Sequence, residues 1–329
     1  MIHLAELPRR QFLRLAAGMA VLSAAPRIAI AQVYPSRPVR LIVGFAPGGG
    51  NDIVARLIGQ WLQERLGQPF VIENRPGAGT NIAAEAVVNA RPDGYTLLLA
   101  GPANATNATL YRNLKFNFIR DIVPIAGILR TPTVMVVNPS VPAKSVPEFI
   151  AYAKANPGRI NMASAGIGSG SHLAGELFQM MTGINLVHVP FRGNGPALTA
   201  LLGEQVEVLF PSSPSSIEYI KAGKVRGLAV TSAMRSEALP DLPTVGESVA
   251  GYEMSAWYGI VAPKGTPAAV IDKLNKEINA ALLDPKMKVR FADEGGIAIG
   301  GSPADFGKLI VEETEKWGKV VKAANLKPE

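Results

Sequence analysis

The chain of 329 residues is poor in the side chains that most often carry covalent or metal chemistry. It has no cysteine, which excludes a disulfide, a thiol nucleophile and a cysteine-ligated metal. Its three histidines, His3, His172 and His188, are too scattered to suggest a histidine-rich metal site. No apolar run is long enough for a transmembrane helix. We therefore expect neither a metal nor a cofactor.

The sequence motifs of several large enzyme classes are also missing. There is no phosphate-binding G-x-x-x-x-G-K-[ST] pattern and no H-E-x-x-H zinc motif. No serine in residues 164–172 has glycines two positions before and two positions after it, so the nucleophile elbow of hydrolases is absent. Gly166 and Gly168 begin a G-x-G, but Ser171 stands where a dinucleotide fingerprint needs its third glycine. The sequence therefore gives no support to hydrolysis or redox chemistry.

Much of the positive charge lies in the first 31 residues. They supply +3 of the formal net charge of +7, which leaves +4 for the remainder and gives little support to nucleic-acid binding. They have the order of an export signal, with the arginines Arg9 and Arg10, a short apolar segment and an A-x-A site that ends at Ala31. An arginine pair followed by Phe-Leu resembles a twin-arginine signal, so we expect export to the periplasm.

A glycine-rich stretch, residues 44–52, separates an apolar run from an amphipathic segment, Ile53–Leu66. This order predicts a strand, a loop and a helix whose first turn is capped by Asn51 or Asp52. The unpaired N–H groups of such a helix start can bind a small anion. Glycine-rich turns between strand and helix also occur for structural reasons alone, so this stretch by itself leaves both interpretations open. A second stretch of the same kind, residues 164–172, favours the anion site.

The remaining sequence predicts an α/β protein, because strand-like and helix-like runs alternate along it. The alternation breaks where Ile122–Leu129 and Val134–Val137 follow each other without a helix between them, and Ser255–Val261 is predicted to cross back.

We therefore expect two domains, one formed by residues 32–132 and 253–329 and the other by residues 133–252. Helices predicted at about 267–283 and 303–323 would pack on the first domain. The two glycine-rich loops would face each other across a cleft that closes by a hinge motion.

The predicted cleft is rich in backbone N–H groups and in neutral polar side chains, a composition suited to holding a carboxylate. Several side chains have two interpretations. His172 is either a general base or a helix-start histidine bonded to a neighbour, and Arg192 is either the partner of a ligand carboxylate or a surface charge. Asn104 either faces a ligand or serves as a cap in the turn over residues 101–107. Asp52 is predicted to be a cap or hinge partner and not a general base.

Eight motifs occur in the order of one known family: Tyr34–Pro38, Phe45–Gly49, Glu73–Gly79, Pro92–Thr96, Val141–Ser145, Ser171–Glu176, His188–Phe191 and Leu239–Thr244. The chain thereby resembles, over residues 34–325, the solute receptors of tripartite tricarboxylate transporters, also called TctC-like or Bug proteins.

The resemblance implies the type II periplasmic-binding fold, a Venus flytrap of two three-layer α/β domains joined by two crossover segments. It implies a receptor without catalysis that binds a small carboxylate and delivers it to the large and small membrane subunits of the transporter. We also expect a monomer. The positions that match the ligand-binding loops of the family are Ala46, Gly48, Gly49, Asp52, Ser164, Gly168, Ser169, Ser171 and His172. With Asn104, Arg192 and Ser212, they form the predicted ligand-binding set.

The chain departs from this family after the strand that ends at Phe210. Many relatives carry an acidic residue and an amide there, whereas this chain has Pro211, Ser212 and Ser213. Without that carboxylate the site lacks a partner for a ligand ammonium group. The departure favours a mono- or dicarboxylate, including an aromatic one, over an amino acid.

Two other functions are compatible with such a sequence. A sensory receptor could present its liganded form to a membrane histidine kinase, and genes for a two-component pair next door would favour it. A periplasmic enzyme on the same fold would need an acid–base pair in the cleft, where the sequence supplies only His172.

The export signal makes a direct prediction. Cleavage after Ala31 would leave Gln32 as the first residue of the mature protein. N-terminal sequencing of the protein recovered from the periplasm should therefore begin at Gln32, and a different first residue would contradict this cleavage site.

Overall fold

The computed structural model describes residues 34–111 and 113–328. The predicted export signal and its cleavage site lie outside these residues. No helix in the described part of the chain is long and apolar enough to cross a membrane.

The described chain forms eleven β-strands. In chain order they are β1 (Val39–Val43), β2 (Phe70–Asn74), β3 (Thr96–Ala100), β4 (Ile122–Pro132), β5 (Val134–Val137), β6 (Asn161–Ser164), β7 (Val187–Pro190), β8 (Val208–Leu209), β9 (Arg226–Val230), β10 (Ser255–Pro263) and β11 (Ile297–Gly300).

Eleven α-helices connect or flank these strands, again counted within the described residues. They are α1 (Gly50–Leu66), α2 (Asn81–Val88), α3 (Pro102–Leu110), α4 (Phe118–Asp121), α5 (Val146–Ala155), α6 (Gly170–Thr182), α7 (Asn194–Leu202), α8 (Ser213–Lys221), α9 (Ala268–Leu283), α10 (Pro285–Asp293) and α11 (Pro303–Ala323). Two short 3₁₀ turns lie at Ala78–Thr80 and Val245–Glu247.

The strands form two mixed sheets with the same internal order. The first sheet runs β2-β1-β3-β10-β4-β11, and the second runs β7-β6-β8-β5-β9. In each sheet three parallel strands stand next to one antiparallel strand, β10 in the first and β5 in the second. The chain passes between the sheets from β4 to β5 and returns from β9 to β10, which are the two crossings that the sequence predicted.

Helix α1 illustrates how the sequence builds these layers. Its apolar residues recur at helical spacing, and Val54, Ile58 and Leu62 are fully buried against the first sheet. It ends at Gly67, whose left-handed conformation (φ 72°) favours glycine. Trp61 is half-buried, and its indole N–H donates to the carbonyl of Glu277.

Three elements differ from the sequence-based expectations. Residues 102–110 form helix α3 and not a turn, and Asn104, Thr106 and Asn107 are buried there with at least one side-chain hydrogen bond each. Helix α10 and strand β11 were not predicted. Strand β11 is a short edge strand with Ile297 exposed, so its sequence gives no continuous apolar signal.

Helix α11 contacts the apolar cores of both sheets. Phe306 and Ile310, in its first half, pack in the cluster around Trp257 on the first sheet. Trp317, in its second half, packs with Phe149 and other side chains of the second sheet. The second half of the helix also lies against α3, where Gly318 faces Thr109, so the helix packs on the predicted first domain and contacts the core of the second sheet as well.

A buried carboxylate fixes the middle of this helix. Glu313 accepts hydrogen bonds from the indole N–H of Trp257 on β10 (3.1 Å) and from that of Trp317 (2.8 Å). Its other oxygen lies 3.7 Å from the guanidinium of Arg130 on β4. Glu313 therefore links α11 to both long strands of the first sheet.

We predict that Glu313→Leu destabilises the protein by about 2–4 kcal/mol, because it leaves two buried indole N–H groups without an acceptor. Glu313→Gln should cost less, since its amide oxygen still accepts a hydrogen bond. Urea unfolding of the purified variants measures both effects. A leucine variant as stable as the parent would show that the carboxylate does not anchor the helix.

Candidate functional site

Five helices begin around one small cavity between the two sheets. The cavity measures about 30 Å³, enough for one or two water molecules. Its walls are formed by the first residues or N-caps of α1, α3, α6, α7 and α8, together with side chains from the strands and loops beside them. The lining residues are Phe45, Asn51, Pro102, Ala103, Thr133, Ala165, Ser169, Gly170, Ser171, Asn194, Ser212, Ala256 and Tyr258. We call this space the central cavity.

The polarity of the central cavity suits an anion. No Asp, Glu, Lys or Arg of residues 34–111 and 113–328 lines it. Helix starts carry partial positive charge and N–H groups without partners in their own helix. Burial raises the pKa of the Tyr258 hydroxyl, which therefore stays protonated and able to donate. The site thus offers neutral donors in a protected space.

The first glycine-rich loop is held by Asp52. Gly49 is the N-cap of α1 and no side chain caps the helix, which corrects the prediction that Asn51 or Asp52 does so. Asp52 lies in the first turn, where its carboxylate accepts from the N–H of Gly48 (3.1 Å) and pairs with Arg56 (2.9 Å). These bonds lower the pKa of Asp52 despite its burial, which acts in the opposite direction. The Asp52 carboxylate therefore serves to hold the first loop in place.

The second loop is held by its own serines. Ser171 Oγ accepts from the N–H of Ala165 (2.7 Å) and lies 3.1 Å from Ser169 Oγ. Ser164 Oγ accepts from the N–H of Gly166 (3.1 Å), and Ser169 is the N-cap of α6. The hydroxyls thus fix the path of the loop between strand and helix.

Two stacked histidines lie beneath the second loop. The rings of His172 and His188 are 4.0 Å apart with an interplanar angle of 21°. His172 accepts the N–H of Gly168 at Nδ1 (3.1 Å), and its Nε2 lies 3.5 Å from a carboxylate oxygen of Glu176. Both ring nitrogens of His172 therefore face protein groups, which supports the helix-start interpretation over a general base.

His188 joins this pair to the loop. Its Nε2 lies 2.6 Å from Ser164 Oγ. Burial, and then the neighbouring His172, lowers the pKa of His188 to about 4. Burial alone would raise the pKa of Glu176, but its hydrogen bond from His172 and the charges of the two histidines outweigh that effect.

The two halves of the molecule contact each other across the cleft through backbone atoms. The N–H of Ala46 donates to the carbonyl of Arg192 across the cleft (2.8 Å). A Cβ on Gly195 would lie 2.5 Å from the carbonyl oxygen of Pro47, and one on Gly50 would collide with the hydroxyls of Ser212 and Tyr258. This close approach requires glycine at both positions.

The predicted ligand-binding residues divide into three groups. Ser169, Ser171 and Ser212 line the central cavity. Arg192 lines a second, larger space described below. The others line neither space and instead lie in the loops or the interior: Ala46, Gly48, Gly49, Asp52, Asn104, Ser164, Gly168 and His172.

Asn104 belongs to the interior. Its Oδ1 accepts from the N–H of Gly101 (3.0 Å), and its Nδ2 donates to Thr80 Oγ1 (3.2 Å). Both ends of the amide are therefore used within the fold, in agreement with the cap interpretation.

Four polar residues of the central cavity were not among the predicted ligand-binding residues: Asn51, Thr133, Asn194 and Tyr258. Asn194 is the first residue of α7, and its Oδ1 is buried without a hydrogen-bond partner in the described chain. Its position between two glycines was a usable signal for a helix start in the cleft. Tyr258 lies within a buried strand, and no local pattern marks it.

A larger cavity of about 590 Å³ opens beside the central one. It is lined by Gly44, Phe45, Pro76, Gly77, Ala78, Gly79, Thr80, Ile82, Tyr111, Ala165, Gly166, Ile167, Pro190, Phe191 and Arg192. Its floor includes four consecutive residues with positive φ, from Gly77 (133°) to Thr80 (81°). A β-branched residue in that conformation is strained, and such strain occurs most often at functional sites. We call this space the outer cavity.

The structure contains no cluster of three or more His, Cys, Asp or Glu side chains able to hold a metal ion within residues 34–111 and 113–328.

Comparison with known proteins shows that this chain is similar to solute receptors. The family model described as tripartite tricarboxylate transporter family receptor matches residues 54–326. BugT of Bordetella pertussis is 37% identical over 300 residues, which covers 90% of this chain and 92% of BugT.

Two solved structures carry ligands. A protein of R. palustris solved with adipate is 38% identical with a TM-score of 0.88, covering 90% of this chain and 100% of that protein. MatC of Rhodopseudomonas palustris, solved with bound malate, is 33% identical with a TM-score of 0.83, covering 88% and 100%.

The buried histidine predicts a pH dependence of stability. The pKa of His188 is about 4 in the folded protein and 6.5 for an ordinary histidine, so below pH 6.5 the unfolded chain binds a proton that the folded protein does not. Stability should therefore fall as the pH falls from 6.5 towards 4, by about 1–3 kcal/mol.

The matched variant is His188→Gln, which removes the titrating ring. Urea unfolding at a series of pH values should give a shallower loss of stability for this variant over the same interval. The same slope in both proteins would show that His188 is not the group that titrates.

Proposed function

Because the chain belongs to the tripartite tricarboxylate transporter receptor family, we propose that it is a periplasmic receptor that binds a small carboxylate in the central cavity. It then delivers the ligand to the membrane subunits of such a transporter. The observation that supports this most directly is the meeting of five helix starts around a space without charged side chains in the described chain. The relatives solved with adipate and malate carry carboxylates, which is the ligand class that such donors fit.

The family comparison also confirms three broader expectations. The resemblance found in the sequence motifs is confirmed, and so is the α/β fold of two domains of the periplasmic-binding type. The family consists of receptors, so the prediction that the protein is not an enzyme is confirmed as well.

Several finer points are part of the proposal. We place the domains at residues 32–132 with 253–329 and at residues 133–252. We propose that residues 1–31 form a twin-arginine export signal removed after Ala31, and that the mature receptor is a monomer.

Binding requires the two loops to separate. A central cavity of about 30 Å³ has no room for a dicarboxylate, so the ligand enters when the domains swing apart and is enclosed when they close. Closure replaces the water around the carboxylate with fixed donors, which is the source of affinity.

A thermal-shift screen of residues 32–329 tests the function. The ligands are mono-, di- and tricarboxylates, aromatic acids, amino acids and neutral sugars. A ligand that binds only the folded state raises the melting temperature with its concentration. We expect a dose-dependent rise with carboxylates alone, and a rise only with sugars or with no ligand would contradict the proposal.

The variant Gly195→Ala tests closure. Its Cβ would meet the carbonyl of Pro47 only when the loops are in contact, at a cost of about 1–3 kcal/mol. We expect the unliganded protein to keep its stability while the best ligand binds roughly 5- to 150-fold more weakly.

The control is Gly203→Ala, at the opposite end of the same helix, where a Cβ would meet the nearest atom at an ordinary 3.4 Å. Isothermal titration calorimetry of both variants gives the affinities. Equal affinities for Gly195→Ala and Gly203→Ala would show that this contact is not part of the bound state.

A further inference from the structure

The central and outer cavities adjoin each other. Phe45 and Ala165 line both, so the two spaces are neighbours at these two residues. The central cavity is too small for more than one end of a ligand, whereas the outer cavity is about 590 Å³.

The two spaces differ in charge. The central cavity is lined by helix starts and by uncharged side chains, both polar and apolar, among the described residues. The outer cavity is lined by Arg192, the only charged side chain that the described chain places there. Arg192 is exposed and forms no ion pair within 4 Å with any carboxylate of residues 34–111 and 113–328.

The remaining walls of the outer cavity are also suited to a polar group. Its lining exposes more polar than apolar surface and includes the turn at residues 77–80 and residues 165–167. An uncharged hydrocarbon tail would therefore gain less there than in an apolar pocket. An acidic group would gain the planar, permanently charged guanidinium as a partner.

We propose that the two cavities together bind one dicarboxylate, with one carboxylate at the helix starts of the central cavity and the other on Arg192. The spacer between them passes Phe45. This inference rests on the proposed function and selects dicarboxylates from the carboxylates that the sequence left open. Arg192 is then the residue that distinguishes a dicarboxylate from a monocarboxylate of the same length.

The test uses acids matched in carbon number: succinate with butyrate, glutarate with pentanoate, and adipate with hexanoate. Calorimetric titration of residues 32–329 should show that the best dicarboxylate binds about tenfold or more tightly than its matched monocarboxylate, because only the diacid engages the guanidinium. In Arg192→Gln this advantage should disappear while the monocarboxylate affinity stays unchanged.

The matched control is Arg159→Gln, which removes the same charge. Arg159 is exposed and precedes β6, so it lies at the end of that strand away from the cavities. This variant should keep the advantage of the diacid. Melting temperatures of the unliganded variants establish that each one is folded.

The experiment distinguishes failure of the second subsite from failure of the proposed receptor function. If Arg192→Gln weakens both acids equally or neither, the second subsite is refuted and the receptor function stands. If the wild-type protein prefers monocarboxylates, the second subsite is likewise refuted. If it binds no carboxylate at all, the proposed function fails and this inference fails with it.

Discussion

The free N–H groups at the starts of helices are the constraint around which this structure is arranged. In a parallel sheet each helix begins just beyond the carboxyl end of a strand, so helix starts gather at one edge. Here two sheets turn those edges towards each other, and five starts surround a cavity of about 30 Å³. Because these donors are unsatisfied within their own helices, an anion between the sheets is the natural partner for them.

Half of the polar side chains of the two loops maintain this arrangement and do not line the cavities. Asp52 binds the N–H of Gly48, and Ser164 and His172 bind N–H groups of the second loop. Such bonds keep the backbone in place, so that its donors are oriented before a ligand arrives. The polar residues identified in the sequence are therefore in part supports of the site.

Glycine has a second function at the contact between the sheets. Gly50 and Gly195 lie where any side chain would strike the opposite backbone or hydroxyl groups. The same residues that allow tight turns thus allow the cleft to close fully. The buried Glu313, bonded to Trp257 and Trp317, stabilises the region where α11 contacts the cores of both sheets.

The sequence by itself determined the α/β class, the two crossings between sheets and both glycine-rich loops, because these depend on local periodicity and on glycine at fixed places. It also identified Ser169, Ser171, Ser212 and Arg192, which lie at or beside helix starts.

Only the tertiary structure decided which donors line the site. Tyr258 reaches the cavity from a strand more than 200 residues after the first loop, and His188 meets His172 through the pairing of β6 with β7. The reason is physical: local sequence sets the direction of each chain segment, whereas the packing of distant segments sets which side chains share one enclosed space.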